Sequence, residues 1–317
     1  MMEEDYEVSE EELRRIEEEL QELEQVNKQK EQMIKSREGS TTKIPKKEII
    51  HRISTGVSEL DRALEGGIPK GSWVAITGEP GTGKSILCMH FAWAGIKAGD
   101  PVVYVTTEAE FRDVLKQAKM FGMDFEQYRI LDISSSKQYQ EANPPHIVVI
   151  DIFGLLKIAR QISSTDEEGK KRFHYALSIE TLIASINEAY KILGVLREGS
   201  KTPQKHVRLI IDSISAFWAD KPAMARRYSY DLKVATHREN VTAYLVSQYA
   251  MTTKSTFGFG LEHIADGVFH LWMDDVEKTK EVKRYMIIKK MRMTNHVRKA
   301  FLVEIEPGKG FVLTPLG

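Results

Sequence analysis

The sequence predicts an α/β protein with a twisted, mainly parallel sheet, helices on both faces and an antiparallel C-terminal extension. Short apolar segments alternate with helical segments from residue 73 to residue 248, which is the order of a parallel sheet built from strand–helix units. From Asp266 onward, short alternating segments are typical of antiparallel strands. A glycine-rich segment joins the first buried strand to the first long helix, and it is the strongest local signal in the chain.

The glycine-rich segment comes after the apolar run Val74–Ile76 and has the spacing G-x-x-x-x-G-K-S of a phosphate-binding loop, the Walker A motif. Its glycines allow successive backbone N–H groups to turn inward around phosphate oxygens. The lysine would reach the β- and γ-phosphates, the serine hydroxyl would hold Mg²⁺, and the dipole of the next helix favours the same anions. The sequence therefore predicts a nucleoside triphosphate site formed by Gly78, Glu79, Pro80, Gly81, Thr82, Gly83, Lys84, Ser85 and Ile86.

The remaining elements are predicted from apolar runs and from helical periodicity. Strands before the C-terminal extension are expected at 101–108, 130–133, 146–151, 208–212 and 242–248, and helices at 59–65, 86–97, 111–121, 179–193 and 224–240. The C-terminal strands are expected at 268–272, 284–289, 300–305 and 311–313. Two polar segments, 153–178 and 196–206, are predicted to be exposed insertions. The sequence contains no second phosphate-binding loop, so we expect a single nucleotide-binding domain.

The N-terminal segment differs from the rest of the chain in charge and in periodicity. Residues 1–40 carry 14 acidic and 6 basic side chains, although the net charge of the whole chain is only −1. A helix is expected over 9–37, and for two heptads it has the spacing of a coiled coil at Leu13, Ile16, Leu20, Leu23 and Asn27. It could pair with a copy of itself, pack on the body or remain a solvated helix. We divide the chain into an acidic helix and linker, residues 1–42, and a globular domain, residues 43–317.

Composition favours a cytoplasmic protein. The chain is 42% hydrophobic and 29% charged, which is ordinary for a soluble globular protein. Its single cysteine, Cys88, cannot build a disulfide framework or a zinc site, which fits a reducing compartment. No uncharged run approaches the roughly 20 residues of a membrane span, and the acidic N-terminus does not look like a signal peptide.

Hydrolysis would need a carboxylate near Mg²⁺ in addition to the loop. Two predicted strands end in aspartate, at Asp151 and at Asp212. Asp212 is succeeded by a helix and by the strand that ends at Gln248, which is the order expected when neighbouring strand ends line one nucleotide crevice. Asp212 is therefore favoured as the Mg²⁺ carboxylate over Asp151. For either residue, the alternative is an aspartate that merely caps a strand end.

A group that activates water is expected on the strand 101–108. Glu108 ends this strand, which we expect to lie beside the strand of the phosphate-binding loop, where a glutamate can polarise a water in line with the γ-phosphorus. Glu110 is its rival, two residues further on. Gln248 suits a group that senses the γ-phosphate and passes the signal to the next segment, and the alternative is an ordinary polar strand end.

Several segments between residues 50 and 315 carry a more specific signal than the phosphate-binding loop alone. They are STGVSELDRALEGGIPKGSWVAITGEPGTGKS, YVTTE, RLIIDSISAF with the downstream ARRYSYDL, and KKMRMTNH. On these segments the chain resembles the RecA superfamily and, within it, the KaiC-like ATPases of the single-domain archaeal type. The resemblance implies a RecA-like P-loop fold, ATP and Mg²⁺ as ligands, and hexameric rings with ATP at the subunit interfaces.

The resemblance also implies roles for individual residues. By matching position, Glu108 corresponds to the catalytic glutamate and Asp212 to the aspartate of the Mg²⁺ site. Lys290, Arg292 and His296 correspond to a cationic set that is offered to the nucleotide of the neighbouring subunit. The alternative for these three residues is a solvated basic strand.

Two departures separate this chain from the clock protein of the family. Ala109 comes after Glu108, where the clock protein has a second glutamate. Residues 260–266 contain no hydroxyl side chain, where the second domain of the clock protein is phosphorylated. The resemblance thus implies an ATPase more like the half that is not phosphorylated. Autophosphorylation has no particular support at the nearby hydroxyls, Thr252, Thr253, Ser255 and Thr256.

Two functions of different classes fit the sequence. The favoured one is a regulatory ring ATPase that serves as a switch. The other is a RecA/RadA-paralogue that binds single-stranded DNA in recombination or repair. It rests on segments 217–228 and 249–260, where aromatic and cationic side chains alternate at the places where RecA-type proteins present DNA-binding loops. A scaffold that binds ATP without turnover is a third reading, and no partner can be named for the acidic helix.

Overall fold

The computed structural model describes residues 50–135, 144–162, 178–195, 205–218, 222–250, 255–256, 260–274 and 281–316. The compact unit that they form begins at Ile50. The predicted acidic helix and coiled coil lie outside the described residues, so they and the predicted boundary at residue 43 stay predictions. Within the described ranges, no helix is long and apolar enough to cross a membrane.

A large sheet forms the centre of this unit. The strands in chain order are β1 (Arg52–Ile53), β2 (Ile68–Pro69), β3 (Trp73–Gly78), β4 (Val102–Thr106), β5 (Ile130–Asp132), β6 (Ile147–Asp151), β7 (Val207–Asp212), β8 (Val241–Ala250), β9 (Ser255–Thr256), β10 (Gly267–Met273), β11 (Arg284–Met291), β12 (Phe301–Glu306) and β13 (Gly310–Pro315). The sheet order is β13-β12-β11-β10-β3-β8-β7-β4-β6-β5, while β1 pairs with β2 and β9 pairs with the end of β8. Pairing is parallel from β10 through β5 and antiparallel from β10 through β13, which confirms the predicted fold class.

Helices cover both faces of the sheet. They are α1 (Ser58–Ala63), α2 (Lys84–Ala98), α3 (Phe111–Met120), α4 (Ile152–Ile162), α5 (Ile179–Ile192), α6 (Ala225–Thr236) and α7 (Leu261–Ile264). Successive residues of a strand face opposite sides of a sheet. Along β3, Val74 and Ile76 accordingly join the core beneath α1, α2 and α3, whereas Trp73 and Ala75 join the core beneath α5 and α6. Both cores need an apolar β3, and all six of its residues are buried.

The strand β10 differs from the expectation that the strands after Asp266 pair only with antiparallel neighbours. It lies between β3 and β11, parallel to the first and antiparallel to the second. A run of apolar residues predicts that a strand is buried but not the direction in which it enters the sheet.

The two predicted insertions are only partly exposed. Residues 152–162 form the helix α4, in which Leu156 packs against the core beneath α5 and α6. At the end of the second segment, His206 is buried as well. The polar residues 163–177 and 196–204 lie outside the described ranges.

Candidate active site

The phosphate-binding loop joins the end of β3 to the start of α2. Gly78 ends β3 with a φ of 143°, and a Cβ atom at this position would lie 1.9 Å from the carbonyl oxygen of Leu271 on β10. A side chain would therefore push β3 and β10 apart at the start of the loop. The loop leads into the N-terminus of a 15-residue helix, whose free N–H groups favour an anion.

Lys84 is held at the base of this loop. Its Nζ atom donates hydrogen bonds to the carbonyl oxygens of Gly78 at 3.0 Å and of Glu79 at 2.6 Å. Burial lowers the pKa of Lys84, while the negative charges of Asp212 and Glu108 work against that shift and favour the ammonium form. The predicted phosphate-binding lysine thus lies between the loop backbone and two carboxylates.

The neighbouring strands β10 and β11 also contact the loop. Arg284, at the start of β11, donates from Nε to the carbonyl oxygen of Gly81 at 2.9 Å. The carboxylate of Glu79 accepts a hydrogen bond from the backbone N–H of Met273 at 3.1 Å. Sequence reasoning missed Arg284, because it lies about 200 residues from the loop and belongs to no recognised motif.

The two strand-end aspartates differ in their contacts. Asp151 accepts from the backbone N–H of Phe111 at 2.8 Å and of Gly154 at 2.7 Å, so it binds the first turns of α3 and α4. Asp212 instead lines one cleft with Ser85 of the loop, whose hydroxyl lowers the pKa of its carboxyl group. The aspartate that the sequence favours therefore lies beside the phosphate-binding loop, while its rival caps helices.

The pKa of Asp212 is raised, so a cation bound beside it would stabilise its charged form. Burial is the main cause that raises its pKa to about 6, and Glu108 raises it too, whereas Ser85 and Lys84 lower it. Asp212 and Ser85 both offer side-chain oxygen atoms as metal ligands, and Mg²⁺ prefers oxygen ligands.

The carboxylate of Glu108 is held by two neighbours. Nε2 of Gln248 donates to both Oε1 and Oε2, at 2.6 Å each, and Oγ of Ser213 donates to Oε1 at 2.5 Å. Glu108, Asp212 and Ser85 also line one cleft of about 320 Å³. The structure thus brings predicted residues at or near the ends of β4, β7 and β8 to one place beside the loop.

The path by which Glu108 reaches this place differs from the expectation. The strand β4 does not lie beside β3, because β8 and β7 separate the two. Strands of the central sheet are apolar on both faces, so their composition predicts burial but leaves their order open. Glu108 reaches the loop because the chain beyond β4 turns toward the ends of β7 and β8.

Hydroxyl side chains that sequence reasoning missed hold this turn in place. Oγ1 of Thr107 donates to the carbonyl oxygen of Ser213 and accepts from its N–H, both at 2.9 Å. Oγ of Ser215 accepts from the backbone N–H of Gln248 at 2.9 Å. The signal that could have found Thr107 and Ser213 is their position directly beside the two strand-end carboxylates.

Glu110, the alternative to Glu108, forms ion pairs with two basic side chains. Its carboxylate forms ion pairs with Nζ of Lys157 at 2.5 Å and with Nε of Arg112 at 2.7 Å. Two cations therefore compensate its charge, whereas the hydroxyl and the amide that hold Glu108 are neutral donors.

The predicted cationic set is not brought to the loop of its own chain. Because β11 is antiparallel to β10, Arg284 lies beside the loop and Lys290 lies toward the opposite end, paired with Val268. Arg292 comes just after β11, and its backbone N–H donates to the carbonyl oxygen of Asp266. His296 lies further along the same loop. The cations and the phosphate-binding loop therefore occupy opposite ends of the central strands.

Local contacts hold each of these cations. Nζ of Lys290 donates to the carbonyl oxygen of Ala265 at 2.6 Å, and Nη1 of Arg292 pairs with Oδ1 of Asp266 at 3.0 Å. Nδ1 of His296 lies 3.1 Å from the carbonyl oxygen of Val297. The side chain of Arg292 is nevertheless 56% exposed, so another molecule could reach it.

Two aromatic side chains that could have served DNA binding lie in the core. Phe217 and Trp218 are 6% and 1% exposed and belong to the core beneath α5 and α6. Stacking on bases needs an exposed ring. These two residues are therefore packing groups, and residues 219–221, 251–254 and 257–259 of the two segments lie outside the described ranges.

Comparisons with known proteins agree with this architecture. A family model described as "ATPase: KaiC" matches residues 53–317. A UPF0273 protein of Thermotoga maritima is 31% identical over 267 residues, which cover 84% of this chain and 97% of that protein. A UPF0273 protein of Methanopyrus kandleri is 32% identical over 270 residues, covering 83% and 95%. The crystal structure of a KaiC-like protein from Pyrococcus horikoshii OT3 has a TM-score of 0.61 and 28% identity, and the match covers 84% of this chain and 100% of that one.

Proposed function

The chain belongs to the KaiC family of ATPases, and from this premise we propose that it is a Mg²⁺-dependent ATPase that works as a ring-shaped regulatory switch. One observation carries the proposal. The phosphate-binding loop, Asp212 and the Glu108–Gln248 pair converge at one end of the sheet, while Lys290 and Arg292 lie at the other end. A hexameric ring would bring the second end of one subunit to the first end of the next.

Nucleotide binding is assigned to the loop. Backbone N–H groups of Gly81 to Ser85 would contact the phosphates, and Lys84 would exchange its bonds with Gly78 and Glu79 for bonds with phosphate oxygens. Ser85 and Asp212 would hold Mg²⁺, which when bound would neutralise part of the charge on the β- and γ-phosphates. The oxygen donors and the raised pKa of Asp212 support this assignment.

Hydrolysis is assigned to Glu108. Its carboxylate would accept a proton from a water as the water oxygen attacks the γ-phosphorus and the bond from that phosphorus to the bridging oxygen breaks, which leaves ADP and inorganic phosphate. Gln248 would sense the γ-phosphate, since its amide contacts the same carboxylate. The cations of the neighbouring subunit would compensate the negative charge of the transferring phosphoryl group.

The buried positions of Phe217 and Trp218 favour the switch over the DNA-binding alternative. Fluorescent single-stranded DNA titrated across a salt series separates the two. The switch predicts weak binding, and tight binding whose logarithm falls steeply with the logarithm of the salt concentration would contradict it.

Subunit mixing tests the shared site. Lys84→Ala removes the loop lysine, Arg292→Ala removes a cation at the far end, and each variant alone should lose at least about 10²-fold in turnover. Mixed together, the two variants should recover activity at those interfaces where an intact loop meets an intact Arg292. Arg298→Ala, which removes an exposed arginine of the same loop, is the matched control and should turn over like the parent.

The mass of the mixed variants should be measured by light scattering with and without ATP. Under turnover conditions it should be that of a hexamer. Monomeric mass under turnover conditions, or no recovery in the mixture, would contradict the interface site. An absence of phosphate release by the parent protein would favour the scaffold reading instead.

A further inference from the structure

Arg52 connects the turn after α1 to the loop that carries Arg292 and His296. It lies on β1, and its side chain is only 15% exposed. On the side of the turn, Nη1 donates to the carbonyl oxygens of Leu64 at 3.0 Å and of Gly67 at 3.1 Å, and Nη2 pairs with Glu65 at 2.9 Å. A largely buried guanidinium with this many acceptors is fixed in place.

The other side of the same guanidinium holds the loop 292–296. Nη1 donates to Oγ1 of Thr294 at 2.9 Å, and Nη2 donates to the carbonyl oxygen of Met293 at 3.3 Å. The carboxylate of Glu65 accepts from the backbone N–H of Asn295 at 3.4 Å. One ion pair, Arg52 with Glu65, thus contacts three consecutive residues between Arg292 and His296.

The backbone on both sides needs such support. Met293 has a φ of 57° and Glu65 a φ of 59°, a left-handed region that non-glycine residues rarely occupy because it is strained. Gly67, also in the turn, has a φ of 125°, and a Cβ atom there would lie 2.5 Å from the carbonyl oxygen of Ile53. The turn is therefore shaped to present its carbonyl groups to Arg52 on the neighbouring strand.

We propose that Arg52 is a positioning residue that sets the loop 292–296 for the nucleotide of the neighbouring subunit. The inference rests on the proposed interface site. Arg52 would contact no nucleotide itself; it would hold the loop that carries Arg292 and His296, so that a ring closes on cations already placed. Lysine could not replace it, because one ammonium lacks the planar fork that reaches the turn and the loop together.

Subunit mixing with Arg52→Ala tests this role. Alone, the variant should lose about ten- to a hundredfold in turnover while it still binds ATP at its own loop. Mixed with Lys84→Ala subunits, it should regain activity, as Arg292→Ala does. Arg62→Ala is the matched control: Arg62 lies on α1, is 75% exposed and pairs with Glu59, so its removal should leave turnover unchanged.

Two further variants test whether Arg52→Ala lowers turnover only because the protein misfolds. Thr294→Val removes one acceptor on the loop and leaves the contacts of Arg52 with the turn, so it should lower turnover in the same way but less. Arg52→Ala added to a variant that already carries Arg292→Ala and His296→Ala should cost no further turnover, because Arg52 acts only through the loop that carries those two side chains. Additive losses would mean that Arg52 only stabilises the fold and would overturn the proposal.

The mixtures also separate this role from the interface site. If the Arg292→Ala mixture recovers activity and the Arg52→Ala mixture does not, the role of Arg52 is wrong and the interface site stands. If neither mixture recovers activity, the interface site is wrong and the role of Arg52 falls with it.

Discussion

The two ends of the central strands carry different sets of charged groups. At the carboxyl end of β3 lie the phosphate-binding loop and two carboxylates, Asp212 and Glu108. At its amino end, the backbone N–H of Asp266 donates to the carbonyl oxygen of Trp73, and Arg292 pairs with the carboxylate of Asp266. A strand rises about 3.3 Å per residue, so roughly 16 Å separates the two ends of the six-residue β3.

The difference shows how charge is divided between the ends. The carboxyl end combines carboxylates with Lys84, and Arg284 is already bound to the carbonyl oxygen of Gly81. The amino end holds Lys290 and Arg292, which contact backbone carbonyls and one carboxylate. A phosphoryl transfer needs both kinds of group around one phosphorus. The carboxyl end thus has Lys84 beside its two carboxylates and an Arg284 that already binds the loop backbone, while two further cations lie at the amino end. This distribution is the physical argument for the proposal that subunits share the site.

The largest effect at the carboxyl end is expected for Glu108→Gln. The amide keeps the size of the side chain but cannot accept the proton of the attacking water, so turnover should fall by about 10²- to 10⁴-fold. ATP binding should remain, because the loop and Lys84 are unchanged. Phosphate release and the binding of a fluorescent ATP analogue measure the two effects.

Glu110→Gln is the matched control for this prediction. It removes a carboxylate two residues away that pairs with Lys157 and Arg112, and it should change turnover little. An equal loss in both variants would contradict the assignment of Glu108. Glu108→Gln subunits mixed with Arg292→Ala subunits should recover activity, since the amino ends of the Glu108→Gln subunits are intact.

The parts of the site that the sequence predicts are those whose spacing along the chain reflects a local geometry. The loop from Gly78 to Ser85 needs its glycines and its lysine at fixed separations, so its presence is readable without the fold. Asp212 and Asp151 both end apolar strands, and the sequence distinguishes them only by the helix and strand that come after Asp212. The structure distinguishes them by hydrogen bonds, since Asp151 binds the N–H groups of two helices.

The parts that could not be predicted depend on contacts between distant segments. Ser213 bonds to Glu108, 105 residues away, and Arg52 bonds to Thr294, 242 residues away. The order of β3, β8, β7 and β4 could not be predicted either, because strands buried on both faces are all apolar and their sequences do not indicate which strands pair. Long-range pairings of this kind arise from the assembled sheet rather than from any pattern in the chain.

An intermediate effect is expected for the pH dependence that Asp212 gives to the stability of the folded protein. Its pKa of about 6 lies above the ordinary value of 3.8, so between about pH 4 and pH 6 the folded protein binds more protons than the unfolded chain. Its contribution to stability should fall as pH rises through this window and then stay level. Asp212→Asn should therefore be more stable than the parent at pH 7.5 by up to about 3 kcal/mol, and this advantage should vanish near pH 4.

Denaturation midpoints at the two pH values, measured without nucleotide, check this prediction. Asp151→Asn is the contrasting variant: an amide has one acceptor oxygen and cannot hold both helix N–H groups in the same way, so it should be less stable at either pH. Asp212→Asn should also lose the stabilisation that Mg²⁺ and ATP give the parent. A stabilisation by Asp212→Asn that persists at pH 4 would show that burial of the charge is not its cause.

The smallest effect is expected for Ser213→Ala, which tests how much its hydrogen bond contributes to holding Glu108, the proposed catalytic group. The change removes the donor 2.5 Å from Oε1 of Glu108 and keeps the backbone contacts with Thr107. Gln248 still contacts both carboxylate oxygens, so turnover should fall only about tenfold, with ATP binding unchanged. In a Glu108→Gln background the same change should cost nothing further, because its effect passes through Glu108. An additional loss in that background would mean that Ser213 contacts the reacting groups directly and does not act only through Glu108.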